Sequence, residues 1–137
     1  MSDIQIGSPT KPSKTMFWIG WVISILPVGM LLLSAAMKFM KPPQVSEGMA
    51  KFGYPESVVT PLGVVELTCT VLYLFPRTAV LGAILLTGYL GGATATHVRV
   101  SDAYYTPILL GAALWLGLLM REPRLWPLLP IRKPARA

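Results

Sequence analysis

With 137 residues, 53% of them hydrophobic and only 13% charged, the chain falls well below the charged share of ~25% typical of soluble domains. Its charges gather in short clusters around four nearly uncharged stretches, which excludes an ordinary soluble core. The net charge of +6 does not point to nucleic acid, because the basic residues sit beside apolar spans, where anionic lipid headgroups account for them.

Residues 1–15 are polar, hold two prolines and show no apolar periodicity, so they read as a tail. The first apolar span runs from about Phe17 to Met37. Its apolar core exceeds the ~7–15 residues of a signal-peptide core, so it is read as a retained helix despite the small residues Ser34, Ala35 and Ala36. Trp18 and Trp21 at its start suit a headgroup interface. Between Lys38 and Ser57, the helical spacing of Val45, Met49 and Phe52 predicts a short interfacial helix. Glu47 and Lys51 are placed for an i,i+4 pair, and Gly53 for the stop.

The second span, Val58 to Phe75, carries one carboxylic acid, Glu66, near its middle. Insertion scales put an acid near a helix centre at roughly 2.5–3.5 kcal/mol, so Glu66 needs a partner, a cavity or a proton. Pro76 and Arg77 form a link so short that the second and third spans must be antiparallel neighbours. The third span, about Thr78 to His97, repeats small residues at Gly88, Gly92 and Thr96, a ridge suited to close helix contact. The fourth runs from about Tyr105 to Met120. Residues 122–137 read as a basic, proline-rich tail with Trp126 at the interface. The expected fold is therefore all-α: an integral membrane four-helix bundle over residues 16–121. Eight Lys and Arg fall on the side of the two tails and four on the other, which by the positive-inside rule puts both termini in the cytoplasm.

Glu66 lies ten residues from Pro76, ~15 Å from that boundary and close to the midplane. Lys38, His97, Arg99 and Tyr104 fall near the opposite boundary, ~10–15 Å from it along the axis. Two readings of Glu66 compete. In one it is a neutral acid bonding the Ile23 carbonyl that Pro27 leaves without an intrahelical donor. In the other it points into a pocket between helices and exchanges a proton or hydrogen bond with a ligand, with Gly63, Cys69, Thr70 and Tyr73 on the wall. Lys38 is either a snorkelling boundary residue or a counter-ion folded inward, the axial gap opposing a direct bond. His97 is either a proton relay or a headgroup-level polar residue.

Cys69, the one cysteine, cannot form an internal disulfide, and one histidine with one distant cysteine falls short of a metal site. No nucleophile–base pair, phosphate loop or haem-ligand pair is present, and no catalytic residue is assigned.

The runs SAAMKF, GYP, LGVVELTCTVLYLFPR and GYLGGATATHVR, in this order and spacing, resemble the DoxX-like family of small four-helix bacterial membrane proteins. The resemblance covers about Phe17 to Arg121. It implies a four-helix bundle, with Lys38, Glu66 and His97 at the family's polar motif positions, and a role beside quinone-linked redox chemistry in the bacterial inner membrane. The leading expectation is a bundle that binds a quinone or similar small hydrophobic molecule through Glu66, His97, Lys38, Tyr73 and Thr70, as accessory to a redox partner. The alternative is a non-catalytic scaffold subunit that docks another membrane protein on the ridge at Gly88, Gly92 and Thr96.

Overall fold

A computed structural model describes residues 11–129. The tail up to residue 10 and the basic stretch from residue 130 lie outside the described residues. The described part is helical throughout, with no strand: α1 (Lys14–Met40), α2 (Pro43–Lys51), α3 (Val59–Leu74), α4 (Ala79–Arg99) and α5 (Tyr105–Arg121). Single 3₁₀ turns cover Glu56–Val58 and Pro123–Leu128.

Helix boundaries follow local chemistry. The Ser13 hydroxyl accepts from the Met16 amide at 3.2 Å and starts α1 three residues before the apolar run does. At the far end Lys41 turns left-handed (φ 49°) ahead of Pro42 and Pro43, neither of which has an amide hydrogen to continue the helix. Gly53, at φ +77°, ends α2 at the position assigned to it. The expected Glu47–Lys51 pair does not form. Lys51 instead reaches Asp102 in the α4–α5 loop at 3.3 Å, which ties α2 down onto the end of the bundle.

The four long helices form a ring in the order α1, α3, α4, α5, each antiparallel to its neighbours. Three are long and apolar enough to cross a membrane. The fourth, α5, is apolar and has 17 residues, at the lower limit for a span. Few span residues are buried (33% at most), and Val22, Leu26, Leu33, Ile84 and Leu109 are all exposed on the outer faces. In water such a surface would be a large apolar patch; in a bilayer it is the lipid-facing wall.

Because the ring holds an even number of antiparallel helices, α1 begins and α5 finishes at the same end, here called the tail end. The opposite, loop end is capped by α2. The tail-end half is packed solid. Val28, Cys69, Tyr73, Ala83, Leu86, Leu114 and Leu118 fill it, all buried. Tyr73 is fully enclosed, its hydroxyl donating to the Leu114 carbonyl (2.7 Å) and sharing a hydrogen bond with Ser24 (2.9 Å).

The glycines that bring helices close are not the expected ones. A Cβ on Gly20 would lie 2.7 Å from the Gly117 carbonyl oxygen, so α1 and α5 touch backbone to backbone there. Gly82 admits the Leu72–Tyr73 backbone at the α3–α4 turn in the same way. Around Gly88 and Gly92, by contrast, an added Cβ meets nothing within 4 Å. The ridge makes no close helix contact within the described chain, because it faces a hollow.

The stretch from residue 122 is not all tail. Pro123–Leu128 folds back in a 3₁₀ turn, Leu125 packs on the core, and the Trp126 indole donates to the Leu119 carbonyl (3.1 Å). Arg121, a boundary cation by its position in the sequence, is tucked inward between Trp21 and Tyr73, 4.2 and 4.9 Å from their ring centres.

Candidate functional site

The loop-end half of the ring holds a cavity of about 560 Å³ to which all four long helices contribute. Leu31, Leu62, Leu90, Pro107 and Leu110 supply apolar wall, and the floor lies above the packed half. Met49, Phe52 and Tyr54, from α2 and the chain after it, form the cover. The cavity exists because α4 offers Gly88, Gly92 and Ala93 where larger residues would have filled the space.

Glu66 is the polar centre of this cavity. Its carboxylate accepts from the Lys38 ammonium at 2.8 Å and from the Ser34 hydroxyl at 3.2 Å, while Lys38 also donates to Ser34 at 2.6 Å. The Glu66 side chain is 3% exposed and that of Lys38 14%. The acid does not bond the expected Ile23 carbonyl; of the two readings of Lys38 the structure takes the inward-folded counter-ion, and the axial gap does not prevent a direct contact.

Two features of helix geometry close that gap. The Cβ of Lys38 stands level with Gly63, where a glycine Cβ would be 3.1 Å from it, so only three residues of α3, ~4.5 Å, separate the two side chains along the axis. In addition, Cα–Cβ bonds lean toward a helix's own N-terminus. Since α1 and α3 are antiparallel, Lys38 leans toward the bilayer centre and Glu66 toward the loop end, and the side chains converge.

His97 lines the same cavity from α4, its ring edge-on to Phe52 with centroids 4.8 Å apart. Its Nδ1 is buried without a hydrogen-bond partner among the described residues and lies 3.7 Å from an Asp102 oxygen. Asp102 is itself held by the Ala103 amide (2.8 Å) and by Lys51. These bonds, the amide first, keep its carboxyl below the ordinary range. Arg99 donates to the Phe52 carbonyl, and the hydroxyls of Tyr54 and Thr96 pair at 3.0 Å. Three polar contacts at the loop end therefore fasten the cover to α4 and the α4–α5 loop.

The structure thus gathers Lys38, Glu66 and His97 on one cavity, together with Gly88, Gly92 and Thr96, which the sequence had suggested for helix packing. Tyr73 and Thr70 lie elsewhere. Both are fully buried in the packed half, where Thr70 donates back to the Glu66 carbonyl at 2.7 Å. Cys69 is in the core beside them, and Gly63 backs onto Lys38 and Phe39. Cys69, Thr70 and Tyr73 share the inward face of α3 with Glu66, at i+3, i+4 and i+7, but lie ~4.5–10.5 Å nearer the tail end, in the packed half.

Ser34, Tyr89, Tyr54 and Asp102 are site residues that sequence reasoning missed. A signal existed for Ser34, which precedes Lys38 by four residues and so shares its helix face. For Tyr89 the only clue was its place between the small residues of α4, where it now lines the wall close to Glu66. No group of three or more metal-ligating side chains occurs among the described residues.

An antiparallel apolar bundle with an ion pair set in an internal cavity defines a multi-pass helical membrane protein built around a small-molecule-sized hollow. Residues 22–122 match the DoxX-like family, a stretch that takes in every residue lining the cavity and all of the ring except the start of α1, and the chain belongs to that family. No curated protein and no solved structure matches it.

Proposed function

We propose that the loop-end cavity binds a small hydrophobic molecule with a polar head, a quinone or close chemical relative, and that the protein is an accessory to a membrane redox partner. The observation that carries this reading is the Lys38–Glu66 pair set into the wall of a mainly apolar cavity of about 560 Å³. That volume lies within the range of ligand pockets, as does a lining with few but convergent polar groups. Holding two charges in a hollow between membrane helices is costly, and such groups tend to mark ligand or proton paths. The quinone itself comes from the family resemblance and rests on analogy.

In this reading the neutral sum of ammonium and carboxylate suits an uncharged ring carrying oxygens. Lys38 and Ser34 donate to one oxygen, Tyr89 faces the ring, and His97 with Asp102 connects the cavity to water at the loop end. The protein sits in the bacterial inner membrane, with the tail end toward the cytoplasm in keeping with its two-to-one share of Lys and Arg. The test is mass spectrometry of protein purified in mild detergent. A quinone should be retained in stoichiometric amount and lost from Glu66→Gln. Protein that carries only bulk phospholipid, with the same profile in the variant, would refute the reading.

A second reading, a non-catalytic subunit of a larger complex, is favoured by the exposure of Gly88 and Gly92 at the cavity, where no side chain of this chain packs on the small-residue ridge. In that case Gly92→Ile would release a co-purifying membrane partner, and survival of the complex would count against it.

A further inference from the structure

On its lipid side the cavity is bounded by side chains that also line a second hollow. A second, wholly non-ionic groove of about 500 Å³ runs along the outside of the bundle between α1 and α5, and it shares Met30, Thr106 and Leu110 with the cavity. The two helices are pinned together at Gly20 and Gly117 near the tail end, whereas nearer the loop end Met30, Thr106 and Leu110 border open space between them. On α1 the groove extends from Val22 to Met30, ~12 Å along the axis. Its outer rim is exposed: Val22, Leu26 and Leu109 are each 64–70% accessible.

We infer that the ligand of the cavity is a long-chain lipid with an uncharged, oxygen-bearing head, and that it enters sideways from the bilayer between α1 and α5. The head rests beside Lys38 and Glu66, and the chain leaves past Met30, Thr106 and Leu110 to lie in the groove. This rests on the proposed function and adds the shape of the ligand and its route. The route is carried by Met30, Thr106 and Leu110, which line both hollows and so are the side chains that stand between them. The cover at the loop end, fastened by Lys51–Asp102, Tyr54–Thr96 and Arg99–Phe52, stands across the entry of a whole ligand from water and leaves His97 and Asp102 there as a path for protons. The charge balance of the wall selects the head: an anionic headgroup would be brought against Glu66 with no cation left unpaired beside it.

The test compares two probes on the full chain in detergent, a benzoquinone with a decyl tail and the same ring with only a methyl group. Ala113→Trp places an indole in the groove, and Leu109→Trp, at an exposed position, does so without touching the core. Both should weaken the decyl probe about tenfold, the size of an overpacking clash, and leave the methyl probe unchanged. A photoreactive group at the end of the tail should label residues 22–30 and 105–113. If both probes bind wild type and the tryptophans affect neither, or the label falls elsewhere, the route is wrong while the proposed function stands. If neither probe binds wild type, the proposed function falls and the inference with it.

Discussion

Replacing Lys38 by methionine isolates the one charged pair that the bundle encloses among the described residues. At the observed 2.8 Å, and with an effective dielectric of ~20, the attraction is about 6 kcal/mol before desolvation is counted. Breaking a buried pair by removing one partner typically costs about 3–5 kcal/mol. Lys38→Met should therefore lose about 3–5 kcal/mol, because the carboxylate is left buried without its cation. The double variant Lys38→Met, Glu66→Gln removes both charges and should lie within about 1 kcal/mol of wild type. Unfolding in mixed micelles, followed by circular dichroism, measures all three proteins. A single variant within ~0.5 kcal/mol of wild type, or a double variant as unstable as the single one, would show that the two charges are not coupled in the folded bundle.

The glycines should separate into two classes under the same assay. Gly20→Val drives α1 from α5 and should cost about 1–3 kcal/mol or more, whereas Gly88→Ala, facing open space, should be neutral or gain up to ~1 kcal/mol from helix propensity. Equal losses at both sites would contradict the assignment of close contacts. Tyr73→Phe should lose about 1–2 kcal/mol through the Leu114 and Ser24 bonds while leaving ligand retention intact, since the ring lies outside the cavity. Loss of ligand at unchanged stability would place it in the site after all. Because the Ala103 amide and then Lys51 hold the Asp102 carboxyl low, the tie it makes to α2 persists above the ordinary carboxylate range and fades as pH falls through the lowered value. Hydrogen exchange in residues 43–54 should accelerate on that acidification, and Asp102→Asn should remove the pH dependence; an unaltered dependence in the variant would assign the fastening elsewhere.

Much of the architecture is legible in the letters, because span length, tryptophan belts and helix stops are local. A run of ~20 apolar residues must become a helix in oil, where every backbone group needs a partner within its own segment. Ser13, the Pro42–Pro43 pair and Gly53 set ends that any neighbour would have had to respect. The acid at position 66 also announced, through its expense in hydrocarbon, that something stood opposite it.

What stood opposite was decided by tertiary structure. The choice of Lys38 over the Ile23 carbonyl depends on the vertical register of α1 against α3, set by the packing of Lys38 and Phe39 onto Gly63, and on the opposed lean of side chains in antiparallel helices. Neither quantity belongs to a single segment. The same holds for the glycines, since Gly20 and Gly88 are alike as residues and differ only in what the folded chain brings to them. Composition and period thus determine that four helices cross and roughly where each begins. Rotation and register between helices decide whether a given small residue becomes a contact or the wall of a cavity.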